Sequence, residues 1–236
     1  MKYLPVINLV FLLALAAYVL MLRTKKHTPA DELFAKTITA ERLNIIGKDR
    51  NNYVVISSPE RQALATIDGE LTDPTQVSRD VPGLLFFNQQ GDEVGGLIFG
   101  IDSTDSYQLL TFDQRKSDQI LTLRKDEYLE NGDWKRQYGL SIQERSDRPV
   151  NAIVAELNHV KAISDSADRN LAMKRFREDP MNQAPQRIFI GRTYSEDVGI
   201  FLRDRQNRPR LKMYLDTTGN PRIEIIDESG NIDLLN

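Results

Sequence analysis

The stretch GLLFFNQQGDEVGGLIFG, residues 83–100, decides how the chain is read. Two apolar runs, residues 84–87 and 97–99, flank Asn88-Gln89-Gln90-Gly91. That arrangement predicts a β-hairpin. A three-residue loop closes with a type I turn followed by a residue at positive φ, and Gly91 adopts that conformation without a Cβ clash. Gly95 and Gly96 fall beside the second strand, where glycine marks a bulge or the close approach of another backbone. The hairpin is expected at the centre of a β-rich domain.

The same grammar recurs near the C-terminus. Asp204-Arg205-Gln206-Asn207, Asp216-Thr217-Thr218-Gly219 and Asp227-Glu228-Ser229-Gly230 each run from an acid through two variable residues to one that tolerates φ > 0. Between the turns Leu211, Met213 and Leu215 alternate with polar or amphipathic neighbours, as do Ile223 and Ile225. Pro209 and Pro221 open their strands, where a missing donor is tolerated. Residues 186–235 therefore read as an antiparallel meander.

Between these anchors the pattern is less regular. Residues 42–46 and 53–56 read as strands, and 57–82, rich in Pro, Asp, Ser and Thr, as a long loop with at most one short strand. Residues 107–112, 120–123 and 137–142 are further strands, with Asn131-Gly132 a two-residue turn signal before the last. From 149 to 178 the period changes: Val150, Ile153, Val154, Leu157 and Val160 recur at helical spacing. Pro149 suits a first helical position, Ser164-Asp165-Ser166 can divide the helix, and Pro180 ends it. The fold expected is mainly β, an antiparallel meander or barrel-like sheet with one helical segment, in a single domain over 39–236.

Composition narrows the chemistry. Cysteine is absent, which excludes disulfides, thiolate nucleophiles and Cys-ligated zinc, and only His27 and His159 could supply imidazole. No metal site and no cofactor are expected. Residues 1–26 hold Lys2, Arg23, Lys25 and Lys26 and no acid, so the remainder carries 31 − 4 = 27 bases against 34 acids, a net −7. A domain of that sign repels phosphates, so nucleic acid is not an expected partner.

An apolar run begins at Tyr3 and ends at Leu22, broken only by Pro5 and Asn8. Twenty residues at about 1.5 Å each make about 30 Å of helix, the depth of a bilayer core. Ala14-Leu15-Ala16 has the small-x-small form of a signal-peptide cleavage site. The run nonetheless continues past it to Leu22 and stops at a basic cluster, which favours an uncleaved anchor over 1–26 in a single-pass protein, with a polar spacer over 27–38. Arg23, Lys25 and Lys26 outnumber Lys2 and lean the domain toward the cytoplasm, but N-terminal anchors also export the domains attached to them. The side stays open.

Residues 41–46, the 83–100 hairpin, Phe112-Asp113-Gln114 with Asp118-Gln119, and Gly191-Arg192 together resemble an uncharacterised bacterial family of membrane-anchored or exported β-rich proteins. The likeness spans most of 40–235, and the glycine-rich hairpin is its most specific piece. Gly47-Lys48-Asp49-Arg50 departs from it, since the family more often has an Asp-Gly turn there. The resemblance implies the domain outline and no activity.

Six polar residues are the candidate site: Asp92 and Glu93 after the central turn, and Asp113, Gln114, Asp118 and Gln119 bounding one connection. If the two loops share an end of the sheet, their carboxylates converge as glycoside hydrolysis or a hard cation requires. The simpler reading has acids after turns accepting local backbone hydrogen bonds. Asp113 or Gln114 is expected against the hairpin, in a polar network or on the floor of a small site. Phosphate-loop, Gly-x-Ser-x-Gly and HExxH patterns are absent from the sequence. Two functions fit: a membrane-anchored, non-catalytic binding or scaffold domain for a protein or glycan partner, or a carboxylate-dependent envelope hydrolase.

An integral anchor makes the full chain stay in the membrane pellet through carbonate or high-salt extraction and enter solution only with detergent. Release by carbonate alone would show that residues 3–22 do not span the bilayer.

Overall fold

Directly opposed residues of an antiparallel pair lie on the same face of a sheet, and here that rule runs unbroken through twelve strands. The structure is a computed structural model that describes Ala14, Leu15, Tyr18 and residues 33–235. In chain order the strands are β1 (Arg42–Ile46), β2 (Asn52–Ser57), β3 (Thr66–Ile67), β4 (Glu70–Leu71), β5 (Gly83–Phe87), β6 (Glu93–Ile101), β7 (Asp105–Asp113), β8 (Gln119–Glu130) and β9 (Asp133–Gln143), then β10 (Gln186–Arg192), β11 (Val198–Arg203), β12 (Pro209–Leu215), β13 (Pro221–Ile226) and β14 (Ile232–Leu235). All but β3 and β4 join one sheet, pairing in chain order, each antiparallel to the last. The barrel-like closure considered from the sequence does not form. Among the described residues β1 pairs only with β2 and β14 only with β13, so both are open edges.

The register lines up aliphatic side chains from β1 to β13. One row runs Leu43, Ile56, Leu84, Leu97, Leu110, Leu123 and continues Leu140, Ile190, Ile200, Met213, Ile223. Two residues along each strand a second row runs parallel to it. It starts Ile45, Val54, Phe86, passes Gly95 and Phe112, and ends Leu202, Leu211, Ile225. Period-2 alternation and unshifted pairing through these rows keep every one of these side chains on one side.

The opposite face is mixed. At β2, β5 and β6 it carries the core: Val55, Leu85 and Phe87 pack with Ala63, and Ile98 leans against them. Residues 57–82 form this lid. They hold a 3-10 turn (Pro59–Arg61) and the separate β3–β4 hairpin, two strands where the sequence suggests at most one. Asp68-Gly69, at φ 52° and 78°, is the two-residue turn that makes the hairpin. Gly96 lies under this core, where a Cβ would come within 2.8 Å of Leu85 Cδ2. Further along, the same face has Thr111, Thr122 and Ser141 opposed in one line, which continues into Phe189 and Phe201, with Tyr214 stacked on Phe201.

The turns explain the regularity. Gly47, Asn88, Thr193, Asp204, Asp216 and Asp227 each accept at their carbonyl from the N–H three residues on, and each donates to the carbonyl four residues on. The fourth residue is at positive φ every time: Arg50, Gly91, Glu196, Asn207, Gly219 and Gly230. Where the first residue is Asx its side chain completes the turn. Asp216 Oδ1 accepts from Thr218 N at 3.0 Å and Asn220 N at 2.9 Å. The Thr218 hydroxyl, with those amides, holds that carboxyl well below the usual carboxylate range. β8 and β9 run longer than expected because residues 124–130, charged but for Tyr128 and Leu129, extend them as a ribbon closed by Asn131-Gly132, with Lys125 and Glu127 opposite Tyr138 and Arg136.

Pro149 is the cap of α1 (Val150–Lys161) rather than its first residue, and Asp165 caps a separate α2 (Ser166–Glu178) by accepting from Ala167 N and Asp168 N. Residues 40–236 make one compact unit. Most of the 3–22 segment lies outside the described residues. Among the described residues no helix is long and apolar enough to cross a membrane.

A side chain at Gly219 meets no neighbour within 4 Å, so Gly219→Val isolates the cost of φ 82°. It should lower unfolding free energy by about 1–2 kcal/mol in denaturant titration. An unchanged midpoint would show that the turn does not need the left-handed conformation.

Candidate functional site

A cavity of about 180 Å³ lies at one end of the sheet, between β6, β7, the 57–82 segment and the start of α1. Two irregularities of the sheet shape that end, a register shift between Phe86 and Phe87 opposite Glu93, and another between Phe112 and Asp113. Bulges of this kind re-aim a side chain out of the regular alternation. Ala65, Ile67 and Val150 supply apolar wall, and Glu93, Asp113 and Asp118 supply carboxylates.

Four of the six candidate residues line this cavity: Glu93, Asp113, Asp118 and Gln119. Glu93 is held in a bidentate pair by Arg79, at 2.6 and 3.0 Å. Asp118 accepts from Arg145 Nη2 at 2.9 Å, while Arg145 Nε donates to the carbonyl of Gln119 at 2.8 Å. Asp113 differs: its buried Oδ1 has no hydrogen-bond partner among the described residues. Burial pushes the Asp113 carboxyl up to about 7. Like charge on Asp118 and Glu93 adds to the rise, and Arg145 and Arg79 oppose it.

The other two residues do structural work elsewhere. Asp92 is fully buried, accepting from Asp68 N at 2.6 Å and Asn88 Nδ2 at 2.9 Å, and so ties the central turn to the tip of the β3–β4 hairpin. Gln114 Nε2 donates to the Ser146 carbonyl at 3.0 Å and fastens its loop to the connection before α1. Sequence reasoning does not single out Arg79 or Arg145. Both stand in aperiodic connections, and only the acids they neutralise point to them.

Among the described residues no group of three or more His, Asp or Glu side chains is placed to hold a metal ion. The arrangement can hold a proton on Asp113 near neutral pH and fix two carboxylates with guanidinium groups. Known protein families, curated proteins and solved structures offer no match to this chain.

The pH dependence comes from the direction of the shift. Unfolded, Asp113 loses its proton near 3.9. Folded, it keeps it to about 7. Between those values the native state binds the extra proton, so this group's stabilising effect is whole below about pH 4 and is lost as pH rises to about 7. Asp113→Asn should equal the parent in stability at pH 4 and exceed it at pH 8, by at most about 4 kcal/mol. Denaturant titrations at the two pH values check this, and an Asn variant weaker at pH 8 would show that the ionised carboxylate is stabilising.

Proposed function

We propose that the chain is a non-catalytic binding or scaffold domain, membrane-anchored through residues 3–22, whose binding surface is the doubly aliphatic face of the sheet. One observation carries the reading. Leu43, Ile56, Leu97, Leu123, Ile190, Ile200 and Met213, spread over seven strands, are each 37–55% exposed. A sheet normally buries its apolar face against a second layer, and contiguous apolar surface on this scale marks an interaction site. Among the described residues neither the two helices nor the lid of residues 57–82 supplies that layer, since these side chains stay exposed.

A carboxylate-dependent hydrolase is the second reading, and it rests on Asp113, an acid still protonated near neutrality inside a cavity. Its neighbours count against it. A hydrolase of this kind needs a free base or nucleophile beside the acid, and the two nearby carboxylates are already engaged, Glu93 by Arg79 and Asp118 by Arg145.

Because the chain has no cysteine, single-cysteine variants report one position each. In native membranes, cysteine at Leu123 or Ile200 should resist a bulky maleimide until denaturant is added, while cysteine at Gln137 or Lys212, on the other face, should react at once. Equal rates on both faces would show that nothing covers the apolar surface and would overturn the reading.

A further inference from the structure

The identity of the covering partner can be argued from the two aliphatic rows and their border. We propose that the apolar face is covered by a second copy of this chain, packed face to face as a two-layer sandwich. The proposal rests on the reading of that face as a binding surface.

The dimensions suit a dimer. The eleven strands that carry both rows, spaced about 4.8 Å apart, span about 48 Å along the sheet, and two rows spaced about 6.7 Å apart make a band about 13 Å wide. That is about 640 Å² per copy, or about 1,300 Å² for the pair, within the range of specific and stable interfaces. Isologous contacts demand that a surface meet itself without stranded charge. The two rows contain only aliphatic and aromatic side chains and Gly95 from β1 to β13, so like meets like along the whole band. Sheets of this kind pack about 10 Å apart at a small angle, with side chains interdigitating.

The border is consistent with the same geometry. The next row on this face carries Lys125 opposite Tyr138, and Tyr138 opposite Arg192. These cations are neutralised within the chain. Lys125 and Arg136 each lie 2.8 Å from Glu127, and Arg192 lies 2.9 Å from Glu196. An apolar band edged by internally paired charges is the anatomy of a protein interface core with its rim. A lipid surface fits less well, because residues 27–236 carry a net −7 and an anionic leaflet attracts basic segments. Confinement of two anchored copies to one bilayer would also raise their effective concentration.

Short bismaleimide cross-linking of the full-length chain in native membranes tests this. Single cysteines are placed along the band at Ile56, Leu97, Leu123, Ile200 and Met213, with Gln137→Cys and Lys212→Cys as opposite-face controls. The expected result is a product of twice the chain mass from one or more band positions, since those nearest the two-fold axis link first, and none from the controls. Adding Leu43→Glu and Ile190→Glu, at exposed positions of the same row, to a linking variant should abolish that product, with far-UV circular dichroism confirming that the sheet persists. Band cysteines that are shielded yet link only to a product of another mass, or to nothing, overturn the second copy while leaving the binding face intact. Band cysteines that react freely overturn both.

Discussion

Register is the constraint on which this structure depends. An antiparallel pair shifted by one residue exchanges every side chain between faces, and ten successive pairings must agree for the two aliphatic rows to run from β1 to β13. The repeated turn secures the agreement over much of its length. It fixes where each strand restarts, and its Asx side chain caps the amides that a slipped register would leave unpaired. Packing enforces the alignment most strongly at β2, β5 and β6, where the buried cluster lies beneath the 57–82 lid. Elsewhere, besides hydrogen bonds and turns, the sheet has isolated buried residues such as Leu109 and Phe189 and an aromatic run Phe189–Phe201–Tyr214 on the face opposite the rows.

This division of labour separates the two ends of the molecule. Around the central hairpin, buried Asp92 ties two turns together, and the neighbouring cavity collects guanidinium–carboxylate pairs around one protonated acid. That region has the density of interactions expected of a small domain core. From β9 onward one side of the sheet carries polar and glycine positions around a run of three aromatics, Phe189, Phe201 and Tyr214, and the other side carries aliphatic positions. The asymmetry explains why the strongest functional signal is a surface rather than a pocket.

Much of the fold is legible because its turns are written locally. Asp-x-x-Gly at 216–219 and 227–230, Asn-x-x-Gly at 88–91 and Asn131-Gly132 each carry the residue that a left-handed turn position needs, and the strands between them alternate cleanly. Arg50 and Glu196 are less legible, since both take positive φ without being glycine or asparagine, and Asp68-Gly69 is hidden inside a stretch without periodicity. Sheet closure is beyond sequence reasoning, because the same alternating strands serve an open meander and a barrel. The candidate site is half legible. Acids flanking turns are visible, but whether each caps a turn, as Asp92 does, or faces a cavity, as Asp113 does, depends on bulges that carry no local signature. The arginines that neutralise the cavity acids lie in connections, where spacing says nothing about direction.

Order along the chain and order in the sheet coincide, so the first and last strands are its two edges, eleven strand spacings or about 53 Å apart measured along the sheet. The mechanical response is set by that separation. Tension between the two ends loads one hydrogen-bonded strand pair at a time, and edge strands peel away in sequence, as a zipper opens, rather than shearing together. Each released strand lengthens the chain by a few nanometres at most while the remaining ladder stays intact. The same topology that leaves one apolar face free also makes the sheet's resistance to a pull on its first and last strands stepwise rather than all-or-none.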